Sequence, residues 1–135
     1  MKTFVVLAVS TVLVSIFFCP MVMAAPSMPD GLQMVQPDPS LPKELSAFFG
    51  KWQGTANPES FFVIVEKIDE EKASLWVWYY GFETPVSTWT RREAQVIKER
   101  GIYKLWYPGR YGTSVYTLKG EYLDLAGVGR LRRVP

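Results

Sequence analysis

From Phe49 to Val134, apolar and polar positions alternate in short runs, broken by Gly, Pro, Asn and acidic residues. The runs predict strands at 49–56, 61–68, 74–81, 89–99, 102–107, 113–119, 121–126 and 129–134. The punctuation between them is "ANPES", "DEEK", "ETPVS", "RG", "PGRYG", "KG" and "GVG". Connections this short join antiparallel neighbours as hairpins and leave no room for crossover helices. The pattern therefore predicts an all-β domain, an eight-stranded antiparallel up-and-down barrel. A β-sandwich is the alternative, but its Greek-key connections usually need longer loops.

The chain ahead of Phe49 follows other rules. Lys2 is followed by the continuous apolar run Thr3 to Phe18, then by Pro20 and "MVMAA". Val22 and Ala24 suit the small-residue positions of a cleavage site, so residues 1–24 are expected to be a signal peptide removed on export to the periplasm or outside the cell. Residues 25–40 carry several prolines and little periodicity, which predicts a flexible leader. The domain proper is expected over 41–135. Within it "SLPKELSAFF" predicts one short helical turn near 41–48, with Ser40 as its cap and Leu41, Leu45 and Phe48 at helical spacing.

Composition narrows the chemistry. The only cysteine, Cys19, falls in the expected signal peptide, and there is no histidine. The mature domain must then be held by packing without disulfides. Ser-His-Asp triads, cysteine nucleophiles and the usual zinc sites are all excluded. Removing residues 1–24 takes one base and no acid from a formal net charge of +2, so nothing in the balance calls for nucleic acid. No cofactor or metal is expected, and no stable membrane span after cleavage.

The stretch "LWVWYYG" (75–81) is apolar on both faces: Trp76, Trp78 and Tyr80 share one side, Leu75, Val77 and Tyr79 the other. A sheet with one wet face alternates apolar with polar, so something must cover the outer side here. The leader, the helical turn or a second copy of the chain are the candidates. A lipid-facing band is excluded because Glu66, Lys67, Arg91 and Arg92 interrupt it on both faces.

"AFFGKWQG" (47–54) sets Gly50-Lys51-Trp52 at the start of the first strand, just after the helical turn. This resembles the Gly-x-Trp signature of the lipocalins and the wider calycin superfamily, and residues 40–135 also look like small bacterial exported domains with a calycin-like barrel. The resemblance implies that Gly50 admits the chain at the barrel base and that Trp52 plugs it. It also implies that an arginine of the last strand, Arg130, Arg132 or Arg133, lies over the indole. The chain departs from the lipocalins in its short length and lack of a cysteine pair.

Without catalytic His or Cys, the expected function is non-catalytic: an exported barrel binding a small apolar or amphipathic molecule at its open end. Trp76, Trp78 and Trp106 would line that end, with Tyr79, Tyr103 and Tyr107 orienting a head group. The alternative is an envelope or secreted interaction module, an inhibitor or accessory, that uses an aromatic outer surface and can self-associate. A carboxylate-dependent enzyme built on Glu66 or Asp124 ranks last. For both carboxylates a structural ion pair is the expected role, and for "IDEEK" (68–72) a plain polar turn. Trp89, next to a turn, is expected to be surface clutter.

Overall fold

The computed structural model describes residues 26–56, 59–80, 88–109, 112–126 and 129–135, without the side chains of residues 55, 56, 59, 60, 79 and 80. The expected signal peptide lies outside the described residues.

One four-residue helix, α1 (Lys43–Ser46), precedes eight strands. These are β1 (Gly50–Ala56), β2 (Glu59–Ile68), β3 (Lys72–Tyr80), β4 (Thr90–Glu99), β5 (Ile102–Gly109), β6 (Gly112–Lys119), β7 (Tyr122–Leu125) and β8 (Gly129–Val134). Each pairs antiparallel with its successor, and β8 returns to pair with β1, giving a closed up-and-down barrel. Closure removes every sheet edge. The helix differs from expectation in its start. Pro42 stands at the N-cap, while the Ser40 hydroxyl is donated instead to Asp38 at 2.7 Å.

Directly opposed residues of antiparallel strands share a face, so the register sorts the side chains into lumen and outside. Trp52 opposes Val63 and Arg133, Val65 opposes Leu75, Ala73 opposes Ala94, and Leu105 opposes Tyr116. These buried residues form the core together with Leu123, Leu131 and the helix residues Leu45 and Phe48. One bulge, between Val65 and Lys67, breaks the alternation of β2.

The base is shut by a set of contacts around one ring. The Trp52 indole is 2% exposed and donates to the Phe48 carbonyl at 2.9 Å. Arg133 lies over the ring, its guanidinium carbon 4.3 Å from the centroid. Its two terminal nitrogens donate to the carbonyls of Phe49 (2.6 Å) and Ala47 (2.5 Å). Arg133 is thus the arginine over the indole. Gly50 has φ +126°, and a Cβ there would fall 2.5 Å from Arg133 Nη1. Glycine is required twice, for the backbone turn and for the room the guanidinium occupies.

Trp52→Ala should cost roughly 3–5 kcal/mol in urea unfolding, because the plug cannot be refilled by its neighbours. Arg133→Lys, which keeps the charge but loses the forked pair of carbonyl bonds, should cost about 1–3 kcal/mol.

Candidate functional site

The register reverses the expected placement of the indoles. Trp76 opposes Ile64 and Arg91, Trp78 opposes Phe62, and Trp106 opposes Gln95 and Val115. All three stand on the outer face, because the odd-numbered neighbours Leu75, Val77, Leu105 and Tyr107 fill the inner one. Periodicity alone separates two faces without saying which is inside, and the apolar content of both faces removed the usual clue. Of the expected tyrosines, Tyr103 and Tyr107 are on the inner face, and the Tyr79 side chain lies outside the described residues. Tyr103 sits near the closed end beside the β4–β5 turn, with Lys98 Nζ 4.9 Å from its ring centre. Tyr107 stacks on Tyr116, and their hydroxyls meet at 3.1 Å inside the core. Burial, then the neighbouring Tyr107, pushes the Tyr116 phenol well above its ordinary value. The proposed ligand set is therefore not one cluster.

The outer face of β2 and β3 is covered by residues of the leader. Ile64 is 2% exposed although it points outward, and Phe62 is buried with it, Trp78 packing edge-on against Phe62 at 5.4 Å. The leader is pinned over this face at both ends. Trp89 donates its indole N–H to the Ser27 carbonyl at 2.7 Å and lies edge-on to Phe62. At the other end the Val35 N–H donates to the Glu66 carbonyl at 2.8 Å. Residues 26–41 are therefore a strap and not the free tether the prolines suggested, and Trp89 is one of its anchors. Pro29 within the strap is buried, next to a turn in which the Leu32 N–H returns to the Pro29 carbonyl.

Glu66, at the bulge, organises this face. Its side chain is 1% exposed, and it accepts hydrogen bonds from the Gln33 N–H (3.1 Å), the Ser74 hydroxyl (2.7 Å) and the Trp76 indole (2.8 Å). Arg91 adds Nε at 2.7 Å and Nη2 at 2.5 Å, with its guanidinium 5.7 Å above the Trp76 ring. Burial alone would push this carboxyl up. The bonds from Gln33, Ser74, Trp76 and Arg91 outweigh burial and hold it below its ordinary value. Every lone pair is used to hold protein, which suits a structural anchor. The mid-strand acid among apolar residues was the visible signal in the sequence; its strap partners were not.

Asp124 is likewise an ion-pair residue, 2.8 Å from Lys119 and 3.9 Å from Arg130. In the β2–β3 turn, Asp69 accepts the N–H groups of Glu71 and Lys72, so its acidic run shapes the hairpin. No group of three His, Cys, Asp or Glu side chains converges among the described residues.

Among the described residues, two clefts lie near β7 and β8. One, of about 500 Å³, is at the barrel base, lined by Ala47, Trp52, Leu118, Glu121, Tyr122 and the arginines 132 and 133. A second, of about 590 Å³, is lined by Gln53, Gly54, Tyr122, Val134 and the arginines 130, 132 and 133.

Comparison with protein-family models, with curated proteins and with solved structures found no match to this chain.

Because the folded Glu66 carboxyl titrates below its unfolded value, its contribution is present above the ordinary value of 4.5 and fades as pH falls through the folded one. Asp38, Asp69 and Glu99 are also held low, so the wild type should lose stability on acidification for several reasons. Glu66→Gln should cost about 2–3 kcal/mol at pH 7 and flatten the acid limb of the stability curve. Limited proteolysis should then cut within 26–41 while the barrel survives; a strap as protected as in the parent would contradict the anchoring role.

Proposed function

We propose that this chain is an exported, non-catalytic β-barrel of calycin-like type that binds its partner on the outer surface. The supporting observation is the distribution of filled and open space. Trp52, Val63, Val65, Leu75, Leu105 and Tyr116 pack the lumen, each no more than 2% exposed. The three indoles expected to line a cavity point outward instead. The strap already occupies the aromatic face of β2 and β3, and among the described residues the cleft along β1, β7 and β8 offers an open surface to a partner. The resemblance of Gly50-Lys51-Trp52 to the calycin signature supports the family reading, and the run from Met1 to Ala24 supports export.

A second reading, a small amphipathic ligand in the upper lumen, is favoured by one specific feature. On the inner face Phe61 and Val77 are only half-buried, and Arg92, opposite Leu75, is solvent-exposed with no ion pair among the described residues. Apolar walls beside the Arg92 guanidinium suit a carboxylate-bearing chain.

Titration with palmitate and retinol separates the two. The outer-surface reading expects no saturable binding of either. Saturable one-to-one binding that is lost in Arg92→Ala and in the lumen-filling Val77→Trp would establish the second reading in its place. For export, N-terminal sequencing of protein from the native host should begin at Ala25; a species that retains Cys19 would contradict it.

A further inference from the structure

Closure of the barrel uses one of the three C-terminal arginines and leaves two with no structural duty of that kind. Arg133 is turned inward onto Trp52 and the carbonyls of Ala47 and Phe49. By the alternation of β8, Arg130 and Arg132 point outward. Both guanidinium groups sit over the same ring, Tyr122 of β7, at 5.9 and 5.4 Å from its centre. In the register, Gln53 of β1, Arg132 of β8 and Tyr122 of β7 form one row across three strands.

The charge around them is unbalanced. Asp124 opposes Arg130, yet its closer partner is Lys119 at 2.8 Å, against 3.9 Å to Arg130 Nε. Arg132 has no ion pair among the described residues. The cleft of about 590 Å³ is lined by three arginines and no acid, whereas the acidic Glu121 borders only the neighbouring one. Two like charges held against one aromatic ring repel each other, and an anion between them relieves that repulsion.

We propose that this cleft is a binding site for a phosphate monoester group, held by Arg130 and Arg132 above Tyr122. This rests on the outer-surface reading. A phosphate monoester carries up to two negative charges and three terminal oxygens, so it can accept from both guanidinium forks and match both of their charges, where a carboxylate brings a single charge. The cleft exceeds the size of a phosphate, leaving room for an attached organic group against the Tyr122 ring and Gln53.

The test is a titration of isotope-labelled protein with inorganic phosphate and with phenyl phosphate, followed by amide NMR at fixed ionic strength. Saturable shifts centred on Gln53, Tyr122 and Arg132 are expected, tighter for phenyl phosphate. Arg130→Gln with Arg132→Gln should weaken binding by about tenfold or more while the melting temperature stays at the parent's. Vesicles of phosphatidic acid in phosphatidylcholine, against phosphatidylcholine alone, form a separate arm. Retention on the former assigns the phosphate to a membrane surface, and phenyl phosphate binding without retention assigns it to a soluble ester. Absence of saturable shifts, identical shifts with chloride, or equal loss in the turn variant Arg100→Gln and the double variant would each overturn the proposal. Failure here with palmitate and retinol also unbound leaves the outer-surface reading standing; lumen binding would remove that reading itself.

Discussion

Arg133 over Trp52 is the contact on which the rest of the molecule depends. A barrel this small has no disulfide to hold its ends, and its first and last strands must find each other across the length of the chain. The guanidinium ties β8 to the turn before β1 in a fixed geometry: it lies on the indole, and its fork reaches the carbonyls of Ala47 and Phe49 between α1 and β1. Both bonds lie at the exposed rim of the base, so their value is in fixing the guanidinium over the indole. Gly50 is the other half of the same device, since any side chain would take the space of the guanidinium. Seam and base are therefore closed by one arrangement.

Closing the lumen this way has a consequence outside it. A narrow barrel has little interior, so much of the chain's aromatic content has to go on the outer wall. Phe62, Ile64, Trp76 and Trp78 lie there; a strap that makes few backbone bonds of its own buries the first two and leaves the indoles part-exposed. The strap holds because its contacts fall at two places, the Trp89 indole and the buried Glu66. Ion pairing with Arg91, itself more than half exposed, balances the carboxylate without burying a second full charge.

Much of the fold was legible in the sequence, because strand and turn residues alternate at short, regular spacing from Phe49 onward. The predicted eight runs correspond to the eight strands, with shifts of a residue or two at the ends. The site was less legible, for a physical reason. In "SLWVWYY" both faces are apolar, so hydrophobicity could not report which one points inward. Only the pairing of Val65 with Leu75 and of Ala73 with Ala94 decides it. The strap was invisible for a related reason: its hydrogen bonds run from backbone N–H groups of Gln33 and Val35, which carry no side-chain signature. Trp89 looked unemployed because its partner, the Ser27 carbonyl, is 62 residues away in the chain.

The bulge in β2 separates these two layers of construction. Val65 opposes Leu75 and Lys67 opposes Ser74, so Glu66 is a supernumerary residue in the ladder. A chain lacking that single position would keep every other cross-strand partnership in β2 and β3. What it would lose is the acceptor for Gln33, Trp76 and Arg91 and the carbonyl that takes Val35. The barrel and its wrapping are thus joined through a one-residue insertion in the ladder, so the register of the strands and the hold on the strap are set by different residues.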